Sequence, residues 1–542
     1  MGNLEFCAEI LTQLYHHGVR EYAVCPGARN APLIKALGAS QNKIKTYFFF
    51  DERAAGFFAL GRARQTQSPV AVVSTSGTAV ANLLPSCVEA HYTQSPVVYL
   101  TADRPRNFRG SASPQTIDQT RIFSHHSQFM DVAVEDGIEN TKTEMLNHLV
   151  KLNEGPVHLN VCLDEPLLSG KLLGITDVLK SQNLKPIPIG KKTRPNPDGI
   201  GSWGLFQAKV KRPVCILSSL TLEGARNVEL FLEKTNWPVY AESTSQLQNS
   251  ALLKNQLLRS GTGFLENQIQ QGAFDGVIRI GGIPTTRLWR DLESKYSKLP
   301  VIGFHEYNNG KWTGLARETQ GVFSLDVLFD SNPQEAATQI EMMQKDQLAS
   351  EKVAELIRKC AGSEPSMLFS WAQNLPERSH VFLGNSLPIR EWDLIGNYLE
   401  NKNVVVSCNR GANGIDGLVA TFLGQCYPDR DNFLILGDLS ALYDLNSFAM
   451  FHHFPQMKKH VLIVNNGGGK IFAPMFQDSN FEHRHEWEFS GMAKMFNLSY
   501  RVVAPTGLNP VFYGDMTEDV IELKPNESET EKFQKNYKEI IL

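Results

Sequence analysis

In this 542-residue chain, Asp438 and Asn466 stand where a metal ion could be held against a phosphate group. The apolar run from Phe433 to Leu436 stops at Gly437-Asp438. A second run, Val461 to Val464, stops at Asn465-Asn466 and three glycines. Two strands that each end in an oxygen-bearing side chain, joined by helix-length sequence, describe a βαβ unit with a cation site at its carboxyl edge. A hard cation such as Mg²⁺ or Mn²⁺ takes oxygen ligands and commonly bridges protein to phosphate oxygens. Asp438 offers a carboxylate, Asn466 an amide carbonyl and the glycine turn a backbone carbonyl. Glycines there let a diphosphate approach the main chain closely. Each half alone is also ordinary turn chemistry. The pairing behind two apolar runs is what points to a metal.

A second acid stands far upstream, in Phe50-Asp51-Glu52-Arg53, where a strand runs directly into a helix. Acids favour a helix N-terminus through capping and the dipole, so this segment alone fits a capped helix equally well. Arg29, Arg104, Arg390 and Arg410 fall where strands are expected to end in loops, the face on which open α/β sheets bind ligands. Any one of them reads as a solvated surface residue. Four together suit substrates with several carboxylates, because a guanidinium binds a carboxylate bidentately. His16-His17, His125-His126 and His452-His453 are adjacent pairs, a poor geometry for one tetrahedral metal. His483 and His485 lie beyond the glycines and receive no role.

The elements that position these residues follow from periodicity. Leu4, Cys7, Ala8, Leu11, Leu14 and Tyr15 predict a helix over 4–17 that stops at Gly18. Strands are expected over 21–25, 46–50, 70–74, 97–101 and 157–163, with helices over 52–64 and 78–91. That alternation argues a parallel sheet covered on both faces. The Lys-, Pro- and Gly-rich stretch 171–200 reads as a linker. A second α/β set uses strands near 214–217, 239–242, 276–280 and 301–304, with a helix over 223–234. A helical stretch at 333–360 leads to a third set, with strands at 381–384, 404–408, 433–436 and 461–464. The first and third sets share a rhythm without a sequence repeat. The fold expected is α/β, with three doubly wound parallel-sheet domains over residues 1–175, 195–345 and 355–542.

Net charge is −4, which gives no basic footprint for nucleic acid. Eight scattered cysteines without CxxC spacing suit reduced thiols. No apolar run reaches membrane-spanning length and no signal-peptide pattern is seen. A soluble cytoplasmic protein without membrane insertion is therefore expected.

Several motifs go further. PGARNAPL (26–33), FDERAAGFFALGRAR (50–64), TSGTAVANLLPSCVEA (75–90), LTADRP (100–105), GNSLPIREWD (384–393), SCNRGANGIDG (407–417), GDLSALYDLNS (437–447) and IVNNGGGKIF (463–472) together resemble one family. It is the 2-succinyl-5-enolpyruvyl-6-hydroxy-3-cyclohexene-1-carboxylate synthases of menaquinone biosynthesis, a branch of the thiamine diphosphate (ThDP) enzymes. The resemblance is good over the first and third sets and weak over the middle one. It implies that the three domains are pyrimidine-binding, central and diphosphate-binding. It further implies a transferase that decarboxylates 2-oxoglutarate and adds the product to isochorismate, using ThDP and Mg²⁺ or Mn²⁺.

Residue by residue, the resemblance makes Glu52 the carboxylate against N1′ of the aminopyrimidine. Asp438, Asn466 and Gly468 become the metal ligands, and Ser386 with Gly437, Asp438, Leu439 and Ser440 the diphosphate seat. Ile415 becomes the wedge between the cofactor rings. Arg390 and Arg410 would face the 2-oxoglutarate part, Arg29 and Arg104 isochorismate, and Arg287 a further substrate contact. Gln115 would stand near the reacting carbon, with Ile471 and Phe472 at the mouth of the site. Pro114 and Ala28 depart from residues frequent in the family (Asn and Ser), so no side-chain role follows at either. Because Glu52 and Asp438 belong to different domains, the family architecture implies a homodimer or homotetramer with active sites at the subunit interface. The alternatives are an acetolactate synthase-like ThDP carboligase, a silent ThDP-fold subunit, or a nucleotide-binding protein; the last lacks a GxxxxGK[ST] or GxGxxG pattern.

Overall fold

Short β-branched runs alternating with helices build three parallel sheets in this computed structural model, which describes residues 1–181, 197–306, 322–330, 339–400, 402–476, 478–505 and 519–542. The first sheet holds β1 (Glu21–Val24), β2 (Lys45–Phe48), β3 (Val70–Ser74), β4 (Val97–Asp103), β5 (Gln128–Ala133) and β6 (Val157–Cys162), in the order β2-β1-β3-β4-β6-β5. The second holds β7 (Pro213–Leu217), β8 (Val239–Ala241), β9 (Gly276–Ile280), β10 (Val301–His305) and β11 (Val322–Ser324), ordered β11-β10-β9-β7-β8. The third holds β12 (His380–Leu383), β13 (Val405–Cys408), β14 (Asn432–Gly437), β15 (Lys459–Val464), β16 (Tyr500–Val503) and β17 (Val520–Leu523), ordered β13-β12-β14-β15-β17-β16. The first and third orders are the same path. The second follows it for four strands and then adds a fifth, β11, directly beside β10.

In each sheet the strand path runs both ways from its first strand, so a switch point lies between β1 and β3, β7 and β9, and β12 and β14. In open α/β sheets the crevice beyond the strand carboxyl ends at such a switch point is where ligands bind. The buried strand Val70–Ser74 carries only apolar and small side chains, as a sheet covered on both faces requires, while Val157–Cys162 adds His158 and Asn160, both hydrogen-bonded to Thr101.

The chain packs as two units. One carries β1–β6 together with Gly411–Cys426 and Asp444–Pro455; the other carries β7–β17. In the first unit, helix Glu52–Thr66 lies against helix Leu418–Gln425 at backbone distance. A Cβ on Gly61 would overlap the Thr421 carbonyl, and one on Gly424 the Phe58 carbonyl. Arg62, on the same helix, makes a bidentate pair with Glu21 at 2.7 Å for each bond. Tyr47 donates to the same carboxylate at 3.0 Å, so the helix is locked to β1 and β2.

The expected elements appear with local differences. The helix expected over 78–91 is two, Thr78–Ala81 and Leu84–Tyr92, broken just ahead of Pro85. The stretch 171–200 is not all linker, because Ile175–Ser181 is helical and helix Pro197–Lys209 begins inside it. Residues 182–196, the heart of the expected linker, lie outside the described residues, as does the start of the helical stretch expected at 333–360. Its described part is Ile340–Lys359.

Replacing Gly61 with alanine inserts a methyl where a backbone carbonyl already sits. Overpacking of this kind costs about 1–3 kcal/mol. Gly61→Ala is expected to lower the urea midpoint accordingly, while an alanine at the open position Gly38 leaves it in place.

Candidate active site

At the switch point of the third sheet, β14 ends at Gly437 and β12 gives way to Gly384-Asn385-Ser386. Ser386 caps helix Leu387–Ile395 with φ 78° and ψ −127°. A non-glycine residue in that region is strained, and strain of this kind gathers where backbone N–H groups must be aimed. The free N–H groups of a helix start suit a diphosphate. Across the crevice, Asp438 opens helix Asp438–Tyr443 and is only 2% exposed. Its Oδ1 accepts the Leu439 N–H at 2.6 Å, and Oδ2 accepts those of Gly467 and Gly468 at 3.0 and 2.9 Å. Burial raises the pKa of Asp438, and those N–H groups together with His485 oppose the rise.

Asn466 completes the cation-binding geometry. Its Nδ2 donates to Glu364 Oε2 at 2.9 Å, which fixes the amide. Its Oδ1 is buried with no hydrogen-bond partner among the described residues. Gly468, with φ +138°, sits where a Cβ would overlap the Glu482 carbonyl. A carboxylate with lone pairs to spare, an orphaned amide oxygen and a glycine turn form a hard-oxygen donor set. They fit a divalent cation that also touches a diphosphate.

The arginines divide between the two units. In the second, Arg410 is buried: its guanidinium donates to Asn385 Oδ1 at 3.0 Å and to the Pro284 carbonyl at 2.9 Å. Its Nε is buried without a partner among the described residues. Arg390 lies within helix Leu387–Ile395 rather than in the loop expected for it, and donates to the Ser386 carbonyl at 2.5 Å. Desolvation and the like charge of Arg410 lower its pKa. Arg390 and Arg287 both line a cavity of about 280 Å³, with Thr285, Thr286 and Tyr240 also in its wall. Arg287 is largely exposed, 3.7 Å from Asp291.

In the first unit, Asp51 is the helix cap, its side chain accepting the Ala54 N–H at 3.2 Å. Glu52 therefore has no capping task and remains half-buried at the first helical position. Burial, and then the charges of Glu52 and Asp51, push the neighbouring Cys25 thiol up. Ile415 is half-buried in the loop Gly411–Gly417, whose Gly411 and Ala412 N–H groups meet Glu89 at 2.8 and 2.6 Å. Arg29 is buried, bonded to the Leu163 carbonyl at 2.9 Å, and desolvation and then Arg104 lower its pKa. Two arginines that repel one another at the carboxyl edge of a sheet suit an anion. Arg104 donates from Nε and from its terminal nitrogen to the Pro114 carbonyl, at 2.9 and 2.7 Å. Pro114 thus contributes through its backbone. Gln115, beside it, is exposed with φ +55° and approaches Gly77.

Some site residues were not legible in the sequence. His485 places Nε2 3.2 Å from Asp438 Oδ2, with its ring stacked on Trp487 at 4.7 Å. Glu364 lies 102 residues from the asparagine it orients. It faces Glu391, and burial raises the pKa of both, so the pair retains a proton. Gln119 accepts the Gly77 N–H at 3.0 Å and donates to Asn160 at 2.8 Å, anchoring the loop that carries Gln115. Ile471 is half-buried and Phe472 exposed, in the short helical turn Lys470–Phe472.

Residues 6–122 match the N-terminal TPP binding domain of thiamine pyrophosphate enzymes. Over its whole length the chain is similar to curated proteins named 2-succinyl-5-enolpyruvyl-6-hydroxy-3-cyclohexene-1-carboxylate synthase. The one from Bdellovibrio bacteriovorus is 39% identical over 99% of both chains. That from Akkermansia muciniphila is 29% identical over 98% of this chain and 97% of its own. That from Listeria monocytogenes is 30% identical over 92% and 89%. Likeness along the full length, on a fold of three parallel α/β sheets, leaves one assignment: the chain belongs to the 2-succinyl-5-enolpyruvyl-6-hydroxy-3-cyclohexene-1-carboxylate synthase family of ThDP-dependent transferases.

Proposed function

We propose that the protein decarboxylates 2-oxoglutarate and adds the resulting four-carbon unit to isochorismate, in the manner named for its relatives and within menaquinone biosynthesis. The observation that carries this reading is the unpartnered, buried Oδ1 of Asn466 beside the Asp438 turn. That oxygen has a purpose if a Mg²⁺ or Mn²⁺ ion sits between the turn and a diphosphate. Asp438, Asn466 and the Gly468 carbonyl would hold the ion. Ser386, Gly437, Leu439 and Ser440 would hold the diphosphate. ThDP, when bound, supplies a carbon nucleophile and an electron sink for decarboxylation.

The chain's own residues do the rest. Glu52, free of capping duty, would hold the pyrimidine part of the cofactor through its carboxylate, and Ile415 would pack against the bound cofactor. Arg390, Arg410 and Arg287 take the carboxylates of the keto acid; the spare Nε of Arg410 is one such donor. Arg29 and Arg104 take those of the acceptor, with Gln115 beside the reacting carbon and Ile471 and Phe472 at the entrance. The three domains, 1–175, 195–345 and 355–542, take the pyrimidine, central and diphosphate roles. Two copies complete each site, Glu52 coming from one and Asp438 from the other. Eight buried free thiols suit a reducing, cytoplasmic setting. No helix among the described residues is long and apolar enough to cross a membrane.

Three measurements test this reading. With 2-oxoglutarate and isochorismate, Glu52→Gln should lower kcat by roughly 10²–10⁴-fold, with ThDP still bound in calorimetry. Turnover by the wild type on pyruvate alone would identify an acetolactate synthase-like enzyme instead. Chelation by EDTA should abolish turnover and Mn²⁺ restore it. In Asp438→Ala, Mn²⁺ affinity measured by electron paramagnetic resonance should fall at least about tenfold. Finally, mixing inactive Glu52→Gln and Asp438→Ala subunits should restore activity, about one quarter of the wild-type value for a freely exchanging dimer. A mixture that stays inactive, while mass spectrometry shows hybrids, rules out a shared site.

A further inference from the structure

One short segment of the central set, residues 242–248, which follows β8, touches the supports of the arginine cluster at several points. Glu242 is buried, 1% exposed, and its Oε1 accepts the N–H groups of Thr285 and Thr286 at 2.6 and 3.0 Å. Those two residues stand between Pro284, whose carbonyl holds Arg410, and Arg287. The next residue, Ser243, donates from its backbone N–H and its hydroxyl to Asp393 Oδ1, at 2.8 and 2.6 Å. Asp393 lies three residues beyond Arg390 on the same helix. Gln246 makes a reciprocal pair with Val406 of β13, at 2.7 and 3.0 Å, four residues before Arg410. Gln248 then donates to the Asp393 carbonyl at 2.6 Å. One seven-residue segment thus touches the supports of all three arginines.

We propose that Glu242 is the positioning residue of this cluster, holding Arg287, Arg390 and Arg410 in the spacing and net charge that take a dicarboxylate keto acid. The inference rests on the substrate reading above and extends it to a residue of the central sheet. Its second carboxyl oxygen, Oε2, is buried with no partner among the described residues. An ionised carboxylate so enclosed is costly, and a neutral one is much less so. The charged and titratable groups around it are Asp393 and Arg390 on the helix, Arg410 after β13, Arg279 on β9 and Tyr240 on β8. Burial and then Asp393 push the Glu242 carboxyl up to about 8, with the Thr286 N–H and Arg410 opposing. At neutral pH Glu242 is therefore protonated. It bonds the Thr285-Thr286 turn without cancelling the arginines.

A sign follows. Below pH 8 the cluster keeps its surplus positive charge and binds the dianion. Above it, Glu242 ionises, competes for the same guanidinium groups and raises KM for the keto acid. The experiment is steady-state kinetics of the holoenzyme, with ThDP and Mg²⁺, from pH 6.5 to 9.5. Wild-type KM for 2-oxoglutarate should rise by up to about tenfold per unit above pH 8. Glu242→Gln, which keeps an acceptor for the two N–H groups and cannot ionise, should flatten that rise. Glu242→Ala should raise KM for 2-oxoglutarate at pH 7 by roughly ten- to a hundredfold, with KM for isochorismate and ThDP affinity nearly unchanged. If Glu242→Gln follows the wild-type pH profile, or Glu242→Ala leaves that KM in place, the inference is overturned. Should the alanine variant fail to fold, the glutamine profile alone decides. A wild type that never consumes 2-oxoglutarate would remove the substrate reading as well, an outcome visible before any variant is made.

Discussion

A carboxylate as buried as Asp438 can stay ionised only if donors surround it, and this condition organises much of the third sheet. Several kcal/mol of lost hydration must be made good by N–H groups held within hydrogen-bond reach. Two of them come from Gly467 and Gly468, which follow β15, so the register of β14 against β15 is part of the site. That register brings Asn466 to the same edge. Glu364 then settles which end of the asparagine amide is left free. His485 closes the arrangement on one side with a ring that is itself nearly inaccessible. Because the donors are backbone groups, the cluster is rigid before any ligand arrives.

The three sheets share a strand path and divide the labour. The first and third present acids at their carboxyl edges, Glu52 beyond β2 and Asp438 beyond β14. The second has an acid after β8, Glu242, that is taken up by the Thr285 and Thr286 N–H groups. Its switch point is closed by Gly281, where a Cβ would crowd the Ser218 and Ser219 carbonyls. What it offers is the turn holding Thr285 and Thr286. Parallel sheets with one path can thus serve as a cofactor seat, a base carrier and a scaffold, according to which loop residues stand at the switch point.

The sequence was most informative where chemistry and periodicity coincide. Asp438 and Asn466 each close an apolar run, so their placement at strand ends could be anticipated from β-branched patterning alone. Strand β9 lies at its expected bounds, and β7 and β15 begin one or two residues earlier. Among the missed strands, β16 is an edge strand with two exposed residues, and β5 alternates imperfectly. The candidate site residues named from the sequence all sit inside local motifs. Glu364, Gln119 and Glu242 matter only through partners dozens to more than a hundred positions away, and a buried acid has no local spacing to announce it. Arg390 was expected in a loop because its helix opens immediately after Ser386, and a strained serine cap carries no distinctive signal. The Pro114 carbonyl was invisible for a plainer reason, since any residue there would provide one.

The reciprocal bonds between Gln246 and Val406 have a consequence for inheritance. They join the loop after β8, at one edge of the second sheet, to the edge strand β13 of the third, amide to peptide. A recombination event that exchanged the central sheet alone would have to supply that glutamine in register, and Glu242 and Ser243 with it. The two sheets therefore behave as one heritable module: each has a core of its own, and a further cluster brings Ile541 of the C-terminal helix among the residues of the central set. The rest of the central set is tied to the third as well, through Tyr398 and Tyr537, which donate to the Arg259 and Ser260 carbonyls, so drift in its sequence has several attachments to spare.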